Sequence, residues 1–311
     1  MMRQRLKKIN RRNNYVILAE NFLDEDNKEK ALQFFKKALK FKGEEFETID
    51  ILFYIALLYD EIGFKEKAFE TYNSILRLNP NEAGAYYGIA IIYDERGEKG
   101  KALRNYLKAI QLDPEYDRAY FYAGNIYDEE GDKEKAIEYY KKVIELTPDD
   151  YMAYNNLGSI YEEIKEYQKA FEMIEKSIEI EDGYYRSLFN MGVIQKHLGN
   201  IERAIDYYKR SIEAYSGYPY AYLNISAIYI EEKKYKEAIR ILTEGIEKNP
   251  DAGFLYYNRA CCNINLKNID IAITDLIKAK ELYPDFIEMV KSDKDLKVIR
   301  ENKRYRFLLE D

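Results

Sequence analysis

Alanine recurs along this chain at an almost constant interval, eight times in 311 residues. Successive positions are 34 residues apart, except for a first interval of 37 residues. These alanines are Ala31, Ala68, Ala102, Ala136, Ala170, Ala204, Ala238 and Ala272. A period of this length is typical of one supersecondary unit that is copied and stacked, because each unit buries its apolar face against its neighbours. The chain is therefore predicted to be a repeat array.

A second small residue lies twelve positions before each alanine, and small side chains at matched positions let two helices approach closely. These residues are Ala19, Ala56, Ala90, Gly124, Gly158, Gly192, Ser226 and Ala260. Aromatic rings recur four residues before and three residues after this position in most copies. Five copies end in proline, which cannot continue a helix. Each copy is therefore predicted to form two helices, A and B, joined by a short turn.

This pattern resembles the tetratricopeptide repeat (TPR) family over residues 12–284. Residues 117–150, DRAYFYAGNIYDEEGDKEKAIEYYKKVIELTPDD, are almost the family consensus. The chain departs from the consensus in having no tryptophan and in lacking the closing proline in the first, fifth and sixth copies. The resemblance implies an all-α fold, a right-handed α-solenoid superhelix of antiparallel helix pairs. It also implies a concave groove, lined by helices A, that holds peptides.

The predicted organisation is a run of eight repeats between two terminal segments. A basic leader at 1–11 precedes them, and a capping segment at 285–311 follows, because a terminal repeat needs a cover with a polar outer face. Three extra residues near Phe46–Thr48 predict a longer loop after the first repeat. The repeats are 12–45, 49–82, 83–116, 117–150, 151–184, 185–218, 219–252 and 253–284. Positions within a repeat are numbered below from its first residue.

Composition narrows the class of protein. The formal net charge of −7 disfavours nucleic acid as the main ligand. No apolar stretch approaches the roughly 20 residues that a membrane-spanning helix needs, and the N-terminus lacks the apolar core of a signal peptide. Cys261 and Cys262 are adjacent, which favours two small packed side chains over a disulfide or a metal site. We therefore expect a cytoplasmic protein without a metal or cofactor.

The first 12 residues contain six basic side chains and no acidic one. We interpret them as a solvated leader to the first helix, because no aromatic residue is interleaved with the charges. The alternative is an arm that binds RNA, DNA or an anionic membrane surface.

Helix A has a second face that cannot belong to the core. At about 100° per residue, positions two, five, nine, twelve and thirteen lie opposite the packed side, with position six at the margin. Position five contains Phe53, Tyr87 and Phe121, which are predicted to form an exposed ladder of rings that binds a ligand. The alternative is that these rings complete the packing on a neighbouring helix A. Asn125, at position nine, lies on the same face.

Paired acids occupy positions twelve and thirteen, including Asp94-Glu95 and Asp128-Glu129. They lie at the C-terminal end of helix A, where the helix dipole disfavours an anion by about 0.3–1 kcal/mol. Two explanations are equally weighted. The acids attract a basic partner, or they pair with lysines across the turn, such as Lys99.

Asparagine occupies position six in the last four repeats. An amide both donates and accepts, so a row of amides can bind an extended peptide backbone without selecting its sequence. In the resembling family such rows line the groove, but asparagine is also frequent there in the consensus. Ligand binding and plain inheritance are therefore both retained. The row is Asn156, Asn190, Asn224 and Asn258.

Catalysis has little support in the sequence. There is no phosphate-binding GxxxxGK[ST], no GxSxG turn and no His/Cys cluster with metal-ligand spacing. The single histidine, His197, is assigned to the solvated surface. We therefore expect no catalytic residue and no small-molecule substrate.

The leading hypothesis is a protein- or peptide-binding scaffold whose ligand is a basic or amphipathic segment. One alternative is an adaptor that binds RNA or an anionic membrane through the leader. Another is a self-assembly element, and the sequence leaves the oligomeric state open.

Overall fold

The structure is a computed structural model that describes the backbone of residues 2–283, 293, 296–302 and 304–305, with side chains from residue 11 onward. It divides into two units, Met1–Pro148 and Asp149–Asp311, which are described separately. Within the described residues there are 17 helices and no β-strand. The predicted all-α fold of antiparallel helix pairs is confirmed.

The helices alternate between A and B types along the chain, and each packs on the next within its unit. Those of the first unit are α1 (Met2–Asp24), α2 (Lys28–Ala38), α3 (Glu45–Glu61), α4 (Lys65–Leu78), α5 (Ala83–Glu95), α6 (Lys99–Leu112), α7 (Asp117–Glu129) and α8 (Lys133–Leu146). Those of the second unit are α9 (Tyr151–Glu163), α10 (Tyr167–Ile180), α11 (Tyr185–His197), α12 (Ile201–Ala214), α13 (Pro219–Glu231), α14 (Tyr235–Lys248), α15 (Gly253–Asn265), α16 (Ile269–Leu282) and α17 (Lys297–Glu301). From α5 to α15, every helix A begins at the first residue of its predicted repeat.

The small residues lie where helices A and B of a repeat approach most closely. All eight recurrent alanines and all eight residues twelve positions before them are buried. At Gly192 an added Cβ would lie 2.6 Å from the ring of Tyr208. At Gly158 it would lie 2.6 Å from the side chain of Ile174. Large side chains of helix B therefore fill the space that the small residues of helix A leave open.

The turn between helices A and B has the same backbone geometry in all eight repeats. Position fifteen has a positive φ, between 53° and 83°, whether or not it is glycine. Glycine suits this left-handed conformation, because it has no Cβ to clash with the backbone. Packing of the two helices imposes it on the other residues. The eight positions are Asp26, Gly63, Gly97, Gly131, Lys165, Gly199, Lys233 and Lys267.

The N-terminal region differs from its prediction in two ways. Helix α1 begins at Met2, so the backbone of the predicted leader is part of the first helix. No glycine or proline interrupts residues 2–24, which explains the continuity. The extra residues before the second repeat form no loop, because α3 begins at Glu45 and a capping box between Glu44 and Glu47 supports that start. Helix α3 has 17 residues, compared with 13 in α5.

The described part of the predicted capping segment packs on the last repeat. Leu296 and Ile299 are fully buried against Leu276 and Ala279 of α16. The Tyr257 hydroxyl donates a hydrogen bond to Asp293. Residues 285–292, 294–295, 303 and 306–311 lie outside the described residues.

Candidate functional site

The position-five rings are packed more deeply than predicted. Phe121 is only 7% exposed, so its predicted exposure is wrong, while Phe53 and Tyr87 are half-buried. Each ring packs on the tyrosine at position 24 of its own repeat, which lies on helix B. Position-24 tyrosines reach this far because the residue at position eight is small. The centroid distances are 6.3 Å for Phe53–Tyr72, 5.9 Å for Tyr87–Tyr106 and 5.9 Å for Phe121–Tyr140.

A second layer of tyrosines covers some of these rings. Tyr116 lies 5.0 Å from Tyr87, and Tyr218 lies 5.1 Å from Phe189, measured between ring centroids. Burial is the main cause that raises the pKa of Tyr87 above its ordinary value, so its hydroxyl stays neutral at physiological pH. Sequence reasoning missed this layer, although its signal is present: tyrosine recurs at position 34 in the third, fifth and sixth repeats.

Apolar side chains do reach the surface of helices A, but at other positions. Ile17 at position six and Leu57 at position nine are 53% and 51% exposed, and Tyr54 at position six is 40% exposed. We call positions two, five, six, nine, twelve and thirteen of the helices A the groove face. A cavity of about 660 Å³ lies between α1 and α3 on this face and is lined by all three residues.

The paired acids form ion pairs with lysines, which is one of the two explanations considered from the sequence. Lys99 Nζ lies 2.8 Å from Asp94 Oδ1 of its own repeat and 2.9 Å from Glu129 Oε2 of the next. The hydrogen bond to Asp94, and after it that to Glu129, raises the pKa of Lys99 despite its partial burial. The equivalent contacts are Lys65–Asp60 at 2.8 Å, Lys65–Glu95 at 2.7 Å and Lys133–Asp128 at 2.7 Å. Lys65 and Lys99 thus each join two successive repeats, and the paired acids offer less charge to a partner than predicted.

We expect Lys99→Gln to lower the free energy of unfolding by about 0.5–1 kcal/mol at low ionic strength, because exposed ion pairs contribute little. The difference should shrink in about 1 M salt, where the Debye length is about 3 Å and exposed charges are strongly screened. Lys108→Gln is the matched control, since Lys108 lies on the same helix and bonds the neutral Gln111. Urea unfolding at two salt concentrations measures both. An equal, salt-independent loss in the two variants would show that the ion pairs of Lys99 do not stabilise the repeats.

The predicted amide row is half-buried and partly engaged within the protein. Asn190 Nδ2 donates to Oδ1 of the buried Asn155 at 3.0 Å, and Asn155 Nδ2 donates to Asn156 Oδ1 at 3.1 Å. The remaining contacts are Asn224 Nδ2 to Tyr220 O at 2.9 Å, Asn258 Nδ2 to Phe254 O at 2.7 Å and Tyr140 OH to Asn125 Oδ1 at 2.6 Å. Each of these amides therefore already uses part of its hydrogen-bonding capacity within the protein.

His197 is exposed, but its side chain has two contacts within the protein. Its Nε2 lies 3.1 Å from Glu162 Oε1, and its ring stacks on Tyr167 at 4.8 Å between centroids. Among the described residues, no group of three or more His, Cys, Asp and Glu side chains is placed to hold a metal ion. None of the described helices is long and apolar enough to cross a membrane.

Comparison with protein families identifies the repeat along most of the chain. Models described as tetratricopeptide repeat or TPR repeat match residues 50–82, 92–131, 124–165, 149–217, 197–258 and 255–286. No curated protein of matching sequence was found.

Solved structures share the fold. A tetratricopeptide repeat protein from Parabacteroides merdae has 18% identity and a TM-score of 0.63, covering 81% of this chain and 98% of its own. The Cut9–Hcn1 hetero-tetramer of the APC/C has 18% identity and a TM-score of 0.61, covering 95% and 54%. Pseudomonas aeruginosa PilF has 18% identity and a TM-score of 0.58, covering 70% and 96%. At this level of identity the similarity establishes the fold alone.

Proposed function

Because this chain belongs to the tetratricopeptide repeat family, we propose that it is a non-catalytic scaffold that binds a protein or peptide segment on the groove face. One observation supports this proposal most directly. Ile17, Tyr54 and Leu57 expose apolar surface side by side on helices A, around a cavity. Clustered exposed apolar residues of this kind mark interaction sites.

The partner segment is proposed to be basic or amphipathic. The chain carries a formal net charge of −7, so it attracts cationic segments at long range. The exposed apolar residues favour a ligand that also has an apolar face. The alternative of an adaptor that binds through the leader cannot use Arg12, because this last residue of the basic run is buried and paired with Glu47.

Site-specific photo-crosslinking tests the groove face. We would place benzoylphenylalanine at Leu57 in the first unit or at Tyr220 in the second, both about half exposed. Ile271 on α16, a helix B, is 56% exposed and serves as the control position. Illumination in a lysate of the source cells is expected to give discrete protein adducts at a groove position and several-fold fewer at Ile271. Equal adducts at all three positions, or none at any, would contradict the proposal.

A further inference from the structure

The junction between the first two repeats is formed by the two longest of the described helices A. Helix α1 has 23 residues and α3 has 17, so both are longer than the 13-residue helix α5. The residues that line the cavity span 12–20 of α1 and 47–57 of α3, which at about 1.5 Å per residue gives walls of roughly 12 and 15 Å. The 37-residue interval noted in the sequence therefore lengthens one wall of the cavity by about one turn.

A buried arginine closes one end of this cavity. Arg12 of α1 is 2% exposed, pairs with Glu47 in the added turn of α3 and donates from Nη2 to Thr48 Oγ1 at 3.2 Å. It lies against Gly43, where any Cβ would overlap the guanidinium. The end wall is thus fixed by the same residues that distinguish this junction from the others.

The floor of the cavity is apolar and its rim is acidic. Glu20 of α1 and Asp50 of α3 line the rim, are exposed, and form no ion pair with any described side chain. Arg12 is the one cation among the described lining residues, and Glu47 already neutralises it. A ligand here therefore meets uncompensated negative charge on both walls. The apolar lining is Val16, Ile17, Ile51, Phe53, Tyr54 and Leu57.

A smaller cavity of about 210 Å³ adjoins the first and shares Phe53 and Leu57 with it. It is lined by Gly88, which is at position six of the third repeat, where the second and fourth repeats have Tyr54 and Tyr122. The ring of Tyr72 occupies the place where a Gly88 side chain would lie, 2.3 Å from the added Cβ. The groove therefore continues past Leu57 with room for one further apolar side chain.

We propose that the cavity between α1 and α3 binds one amphipathic helix of a partner protein. Its apolar face packs on Ile17, Tyr54 and Leu57, and its flanking lysines or arginines face Glu20 and Asp50. Two helices side by side offer a groove into which the ridges of a third helix fit, at interaxial distances of about 8–10 Å. This inference rests on the proposed function, which it narrows to one site and one class of ligand.

Two fluorescent peptides of 18 residues test this proposal against the full-length chain. Both have leucine at i, i+3, i+4 and i+7, and the other positions are lysine in one and glutamate in the other. By fluorescence anisotropy, the Leu/Lys peptide is expected to bind saturably and about tenfold or more tightly than the Leu/Glu peptide. A third peptide with the Leu/Lys composition in strict alternation should bind weakly, because its apolar residues do not share one helix face.

Variants locate the binding on the protein. Ile17→Asp with Leu57→Asp should weaken the Leu/Lys peptide about tenfold or more, while Ile271→Asp, equally exposed on α16, should not. Glu20→Lys with Asp50→Lys should reverse the preference in favour of the Leu/Glu peptide. Circular dichroism checks folding, and all five substitutions are at exposed positions. Unchanged binding in the Ile17/Leu57 variant, or no charge preference, would overturn the proposal.

The helix-binding site and the scaffold function can each be disproved without the other. If peptide binding ignores these variants while crosslinks persist at Tyr220, the helix site is wrong and the scaffold function stands. If no groove position crosslinks, the scaffold function itself is wrong. Light scattering identifies a third result: a concentration-dependent dimer that Ile17→Asp with Leu57→Asp dissociates would make the occupant a second copy and overturn the partner helix.

Discussion

Replacing Phe121 with alanine is expected to lower the free energy of unfolding by about 3–5 kcal/mol, the usual loss for a buried phenylalanine. Phe121 is 7% exposed and packs on Tyr140, with 5.9 Å between ring centroids. Its removal would leave a cavity between α7 and α8, which adds to the lost burial of the ring. Urea unfolding followed by circular dichroism gives the size of the loss, and hydrogen exchange in α7 and α8 shows where it occurs.

Leu57→Ala is the matched control for this substitution. Leu57 also lies on the groove face, but it is 51% exposed, so its truncation should change stability by less than about 0.5 kcal/mol. The pair separates a core ring from a surface residue that is available to a ligand. A small loss at Phe121, or losses of equal size, would show that position five is not core. The exposed ring ladder predicted from the sequence would then be restored.

The repeat register was predictable because it depends on residue size at fixed spacing. Ala136 and Gly124 were placed at a helix–helix contact from their interval alone, and both are buried there. Close approach of two helices admits few residue types, so this signal is strong in every copy. The positive φ at position fifteen persists even at Lys165, because the packed helices fix the turn.

The exposure of the groove face was less predictable. The angle of a residue around helix A predicts the direction of its side chain, but not whether long side chains of neighbouring helices cover it. The rings at position five point away from helix A's packed side, but Tyr140 and Tyr116 reach out to cover Phe121 and Tyr87. The extra residues at Phe46–Thr48 were assigned to a loop from their count. The Glu44/Glu47 capping box and the lack of glycine or proline allow them to extend α3 instead.

The contacts of Lys99 could be predicted from the sequence only in part. Its pairing with Asp94 across the turn was one of two explanations, whereas its contact with Glu129 spans 30 residues. Only the stacking distance between repeats determines whether a lysine reaches the next helix A. The same side chain therefore reduces the free acidic charge of two repeats at once, which a list of charges by position does not reveal.

Asp275→Ala is expected to lower the free energy of unfolding by about 3–5 kcal/mol, because it strands a cation in the interior. Asp275 Oδ2 and Oδ1 accept hydrogen bonds from Arg259 Nε at 2.9 Å and Nη2 at 2.7 Å, and Arg259 Nη1 also donates to Thr243 at 3.0 Å. The Asp275 side chain is 5% exposed and that of Arg259 is 19% exposed. The hydrogen bond to Asp275 raises the pKa of Arg259 in the parent chain. Arginine stays charged even without such a partner, so in the variant it cannot relieve the loss by releasing its proton.

A double replacement separates the cost of an unpaired charge from the contribution of the pair. In Arg259→Met with Asp275→Leu, no charge is left unpaired, and stability should return to within about 1 kcal/mol of the parent chain. Hydrogen exchange of α15 and α16, with urea unfolding of the full chain, measures the single and double variants in one thermodynamic cycle. If the double variant were as unstable as Asp275→Ala, the ion pair itself would stabilise the last repeat. If Asp275→Ala were neutral, the guanidinium would have to reach water at this end of the array, and the bidentate pair would contribute no more than an exposed one.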